Sequence, residues 1–134
     1  MSERSWFVSA FPRFIGVLRG EITAFAAGQG MSGLLLNDLA LVVSEALTNA
    51  IVHGYREGAE GLIEVRAAVD ATGFELHVRD RGRGMQPDRD SAGLGLGLPL
   101  IAAVTQEFEV TAHPEGGTAL WMRFPLQREG AQSS

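Results

Sequence analysis

Cysteine is absent from the 134-residue chain, which excludes disulfides and thiolate metal sites. No basic block or stripe appears, and acidic residues outnumber basic ones 16 to 11, for a net charge of −5. Both features argue against direct nucleic-acid binding. No apolar run reads as long enough to span a membrane. The opening "MSERSWFVSAFPRF" is too polar and too broken for a signal peptide. Internal repeats and linkers are also missing. The expectation is a single cytoplasmic domain over residues 1–134, with its core at about 13–126 and a flexible tail at 127–134. With 46% hydrophobic and 20% charged residues, such a chain can bury a substantial core.

The apolar pattern supplies the elements. "SWFVSAF" (5–11) reads as a short strand ended by Pro12. Phe14, Val17, Leu18, Ile22 and Phe25 recur at helical spacing from Arg13 to about Ala27, and Gly28 and Gly30 close that helix. Ser32 can cap a second helix running from Gly33 to about Tyr55. "LIEVRAAVD" (62–70) and "FELHVRD" (74–80) alternate on either side of a turn and form a hairpin. A third helix is expected over about 98–106, with Pro99 in its first turn. "FEVTAH" and "TALWMRF", joined by "PEGG", form a second hairpin. Helices and strands do not alternate strictly. The fold class is therefore α/β in the α+β sense, a two-layer sandwich of one mixed sheet with helices on a single face.

The second helix has an unusual second face. Leu36, Leu39, Val43, Ala46, Leu47, Ala50 and Ile51 share one broad arc that must pack on the sheet. Asp38, Glu45 and Asn49 lie on the opposite side, flanked by Leu41 and Val52. That mixture fits either a solvated face with incidental aliphatics or a face covered by a ligand, a lid or another chain. His53 lies near Asn49 but two turns from Glu45, and it reads as structural.

A second oddity follows the first hairpin. Asp80 continues the parity of Phe74, Leu76 and Val78, so its carboxylate points to the apolar side of the sheet. A carboxylate there needs donors, since desolvating it unpaired is costly. It could accept the backbone N–H groups of Gly82 and Gly84 in an Asx-type turn. It could instead accept from the amino group of a bound heterocycle lying against those glycines. Further on, "AGLGLGLPLI" (92–101) sets Gly93, Gly95 and Gly97 directly before a helix, an arrangement suited to phosphate. A Rossmann reading fails because no strand precedes this loop, and a Walker A reading fails because no Gly-Lys-Ser/Thr follows.

Taken in order, "EALTNAIVHGY", "DRGRGM", "GLGLGLPLI" and "GGT" resemble the boxes of the Bergerat-fold (GHKL) ATP-binding superfamily. "VVSEALTNAIVHGY" and "FPRFIGVLRGEITAFAAGQG" are most similar to the anti-sigma-factor serine/threonine kinases. The resemblance implies ATP or ADP with Mg²⁺, Asn49 giving its amide oxygen to the metal, and Glu45 acting as catalytic base. It implies that Asp80 accepts from adenine N6 with Thr118 in support. Gly82, Gly84, Met85, Gly93, Leu94, Gly95, Leu96 and Gly97 would then lie against the nucleotide. The first helix around Arg19 would contact a protein partner or a dimer mate. The lid "MQPDRDSA" is short and holds no lysine, so Arg89 alone could meet the phosphates.

Two functions follow from the resemblance. In the first, the protein is a kinase that sequesters a sigma factor and phosphorylates a STAS-type anti-sigma-factor antagonist, as a homodimer. In the alternative, it is a nucleotide-binding switch that holds protein partners without phosphotransfer. Neither involves nucleic acid or membrane directly.

Overall fold

The computed structural model describes residues 2–54, 61–80, 99–112 and 117–127. Strand β1 (Ser2–Ser9) leads into helices α1 (Arg13–Gly28) and α2 (Gly33–Asn49), then a π-helical turn at Ala50–Gly54. Strands β2 (Leu62–Asp70) and β3 (Gly73–Asp80) form the first hairpin, residues 99–104 are helical, and β4 (Glu107–Ala112) and β5 (Thr118–Phe124) form the second. The strands lie in the order β1-β2-β3-β5-β4. All four pairings are antiparallel. The two-layer arrangement is as expected, but the described sheet is uniformly antiparallel where a mixed one was anticipated. Both hairpins pair antiparallel of necessity, and the α1–α2 pair returns the chain so that β2 also runs against β1.

Strand alternation builds the core. On β2, Ile63, Val65, Ala67 and Val69 are buried, and on β3 Phe74, Leu76 and Val78 join them. Leu120, Met122 and Phe124 extend the same face through β5. From the helices come Leu18, Ile22 and Ala26 of α1 and Leu35, Leu39, Val42, Val43, Ala46 and Leu47 of α2. Burying each large aliphatic or aromatic side chain contributes about 1.5–3 kcal/mol, so this one continuous cluster dominates the stability of the fold.

Several boundaries differ from expectation. β1 starts at Ser2, because Glu3 and Arg4 pair with Ala68 and Ala67 of β2 despite their charge. An edge strand tolerates such residues. Val17, counted among the core positions of α1, is 59% exposed, since the buried seam follows Leu18, Ile22 and Ala26. α1 ends in a Schellman arrangement, with Gly30 N–H donating to Ala27 O and Met31 N–H to Ala26 O. Gly30 takes φ 98° there, which favours glycine. Ser32 is the N-cap residue of α2, yet its hydroxyl makes no capping bond. That hydroxyl is buried without a partner among the described residues, and the Ser32 N–H donates to Leu126 O. The third helix stops at residue 104, because Thr105 turns its hydroxyl onto Ile101 O and Gln106 N–H joins Arg123 O at the sheet.

The segment Gly33–Val52 is long and apolar enough to cross a membrane by length and composition alone, contrary to the sequence expectation. Isolated polar residues such as Asp38 and Glu45 interrupt the run without cancelling its average hydropathy. Its apolar arc is nevertheless packed on the sheet: Leu35, Leu39, Val42, Val43, Ala46 and Leu47 are all buried. That is the pattern of a core helix.

Candidate functional site

Among the described residues, two buried polar side chains interrupt the apolar inner face, and they are neighbours. Asp80 ends β3 at 3% exposure, and Thr118 begins β5 at 4%. They are direct register partners, with Ile63 of β2 on the other side of Asp80. Alternation along β3 carries Asp80 inward after Phe74, Leu76 and Val78, as its parity predicted. Asp80 is engaged in an interaction of its own, whereas Thr118 Oγ1 is buried without a hydrogen-bond partner. A hydroxyl left unpaired in the interior costs about 1–3 kcal/mol. A bound polar group would remove that cost.

The helix above supplies the second polar pair. Glu45 and Asn49, one turn apart on α2, are both half-buried, as is Asp38. Asn49 closes the α-helix, and its Nδ2 is buried with no partner. The π-helical turn Ala50–Gly54 follows at once, and β3 packs against it. The continuous helix expected to Tyr55 therefore changes character at Ala50. π-turns often accompany functional sites, because the extra residue re-aims the side chains around it. Nothing in the apolar periodicity announces this turn. Leu41 and Val52, the aliphatic flankers, are 45% and 51% exposed.

Arg19 is exposed on α1 and donates from Nη1 to Ser44 Oγ at 2.9 Å. It thereby ties α1 to the residue immediately before Glu45, a link that sequence reasoning did not anticipate. Gly82, Gly84, Met85, Gly93, Leu94, Gly95, Leu96, Gly97 and the lid with Arg89 lie outside the described residues, as does the His53 side chain.

Among the described residues no group of three His, Asp or Glu side chains gathers to hold a metal. A cation here would take oxygen from an amide such as that of Asn49 and from a phosphate-bearing ligand.

An antiparallel sheet under two helices, with an inward acid at the end of a central strand and an asparagine closing the covering helix, defines an ATPase domain of the Bergerat (GHKL) type. The chain belongs to the histidine kinase-like ATPase domain family, which it matches over residues 8–124. That membership implies a nucleotide-binding pocket. Among curated proteins the chain is similar to an anti-sigma F factor of Heyndrickxia coagulans, 33% identical over 127 residues, covering 84% of this chain and 85% of that one. It is also similar to the serine-protein kinase RsbW of Bacillus subtilis, 30% identical over 122 residues, covering 91% of this chain and 72% of the other. The RsbW of Bacillus licheniformis is 32% identical over 120 residues, covering 90% and 71%. The chain is thus homologous to the anti-sigma-factor kinases. A solved structure of the RsbU and RsbW domains of a Mycobacterium tuberculosis protein shares the fold, with a TM-score of 0.74 at 23% identity. It covers 94% of this chain, which spans only 33% of that longer one.

Proposed function

We propose that the chain is an ATP-dependent serine/threonine protein kinase of the sigma-factor regulatory system. In this reading it is a cytoplasmic homodimer that holds a sigma factor and phosphorylates a STAS-type antagonist. The observation that carries the reading is the juxtaposition of buried Asp80 and Thr118 in one ladder position, on a sheet whose strand β3 packs against the turn that follows Glu45 and Asn49. The relatives named as anti-sigma factors and serine-protein kinases support the same reading.

Asp80 would accept from the amino group of adenine, and Thr118 would bond the same edge of the base. Asn49 would offer its amide oxygen to Mg²⁺, and its buried, unpaired Nδ2 would donate to an oxygen of the bound ligand. Bound Mg–ATP supplies the phosphoryl group and its charge neutralisation. Glu45 would take the proton from the acceptor hydroxyl of the antagonist, a general-base role that contributes about 10²–10⁴ in rate. Arg19 lies on the surface proposed to meet the protein partner. The short lid without lysine favours a second reading, in which the domain is a nucleotide-loaded switch that binds partners but transfers no phosphate.

A pull-down of the tagged chain from its native cell, with ADP or ATP, tests the regulatory role. Recovery of a sigma factor or a STAS protein is expected. Recovery of neither under both nucleotides would contradict it.

A further inference from the structure

We propose that the open face of the sheet carries a binding site for a small oxyanion, phosphate or carboxylate, directly behind the Asp80–Thr118 pair. The alternation that turns Asp80 and Thr118 toward the helices turns Arg79 and Ala119 to the opposite face. Arg79 and Ala119 are themselves register partners. They line a depression of about 240 Å³ together with Glu64, Arg66 and His77. Ala119 keeps the floor of that depression low, since a longer side chain there would fill it.

Arg79 is the feature that points to a ligand. It is half-buried, and its Nε is fully buried without any acceptor among the described residues. A guanidinium N–H is a directed donor that suits a planar or tetrahedral oxyanion, and withholding an acceptor from it out of water is costly. Two of the surrounding carboxylates, Glu75 and Glu3, are committed to other partners, and Glu64 is the register partner of Arg79 on β2. Glu75 accepts from Trp121 Nε1 at 2.9 Å and from Arg123 Nη1 at 2.8 Å. Glu3 lies 3.4 Å from Arg66 Nε, and Glu64 is engaged in an interaction of its own. His77 Nε2 lies 3.5 Å from Arg66 Nη2. Burial and the Arg66 charge hold its imidazole below the ordinary value, so the arginines carry the positive charge at neutral pH. The site lies on the face opposite the proposed nucleotide pocket and stands independently of the kinase reading.

The full chain, labelled with ¹⁵N, is titrated separately with inorganic phosphate and acetate at constant ionic strength, and the arginine Nε–Hε signals and sheet amides are followed. The Arg79 Nε–Hε signal is expected to move and saturate with at least one anion, and the comparison tells phosphate from carboxylate. Ala119→Leu, which fills the depression, is expected to abolish the saturation. In Arg79→Gln the amides of Arg66 and Ala119 are expected to lose theirs. Wild-type signals that only drift linearly with both anions would overturn the site. So would saturation that persists in either variant. The wild-type series decides the matter even where a variant fails to fold.

Discussion

Asp80 and Thr118 face each other across the β3–β5 ladder, both almost wholly buried, on an otherwise apolar sheet face. A packed core would place two hydrophobic residues there. Asp80 has a partner of its own, but the Thr118 hydroxyl has none among the described residues, and under the proposed function a nucleotide base would pair with it.

Asp80→Asn is therefore expected to leave the fold intact and to weaken ADP binding by roughly ten- to a hundred-fold. The amide reverses part of the acceptor pattern, and one hydrogen bond to a charged group is worth about 1.5–3 kcal/mol. Calorimetric titration checks it. Unchanged affinity would remove Asp80 from the adenine site.

Asn49→Ala separates metal from base recognition. Even outer-shell partners of a metal are worth about 10–100-fold in its affinity, so losing a direct ligand should weaken Mg–ATP by at least that much. Metal-free ADP should bind almost as before. Equal losses with and without Mg²⁺ would make Asn49 a structural residue.

Gly73→Ala probes the first hairpin, away from the site. A Cβ at Gly73 would lie 2.6 Å from the Phe124 carbonyl oxygen on β5. Backbone cannot yield as a side chain end would, so a loss of about 1–3 kcal/mol is expected. Urea unfolding measures it, and an unchanged midpoint would mean that the β3–β5 ladder can open there at no cost.

His77 gives stability a pH dependence. Burial first, then the Arg66 charge, lowers its pKa in the folded state, against smaller opposing effects of Glu75 and Glu3. A base with a depressed folded pKa stabilises the fold above its unfolded value and loses that contribution as pH falls through the folded one. The denaturation midpoint should therefore drop more in wild type than in His77→Gln between about pH 7.5 and pH 5.5. A parallel decline in both proteins would show that His77 titrates alike in the folded and unfolded states.

Much of this architecture is legible in local pattern. The period-two alternation of Phe74, Leu76 and Val78 carried Asp80 to the buried face, and the helical spacing of Leu39, Val43 and Leu47 identified the core side of α2. What local pattern misses depends on tertiary packing. Val17 fits the helical period, but it falls outside the seam that α1 presents to the sheet. The π-turn at Ala50–Gly54 interrupts no apolar repeat, and the Ser32 hydroxyl makes no capping bond while its N–H donates to the distant Leu126 O. Arg19 and Ser44 meet only because α1 and α2 pack side by side. All eleven basic residues are arginines, so composition alone could not single out Arg79, whose buried Nε appears only once the sheet is assembled.

Glu45→Gln tests the central claim most directly, because the isosteric amide preserves the helix face and the Asn49 geometry but cannot take a proton. Labelled-phosphate incorporation into a purified STAS partner is measured for both proteins beside their affinity for Mg–ATP. The kinase account predicts transfer by wild type and its loss by about 10²–10⁴ in Glu45→Gln, with ATP affinity retained. Wild-type protein that binds Mg–ATP and the partner yet transfers no phosphate would contradict that account and leave the switch in its place.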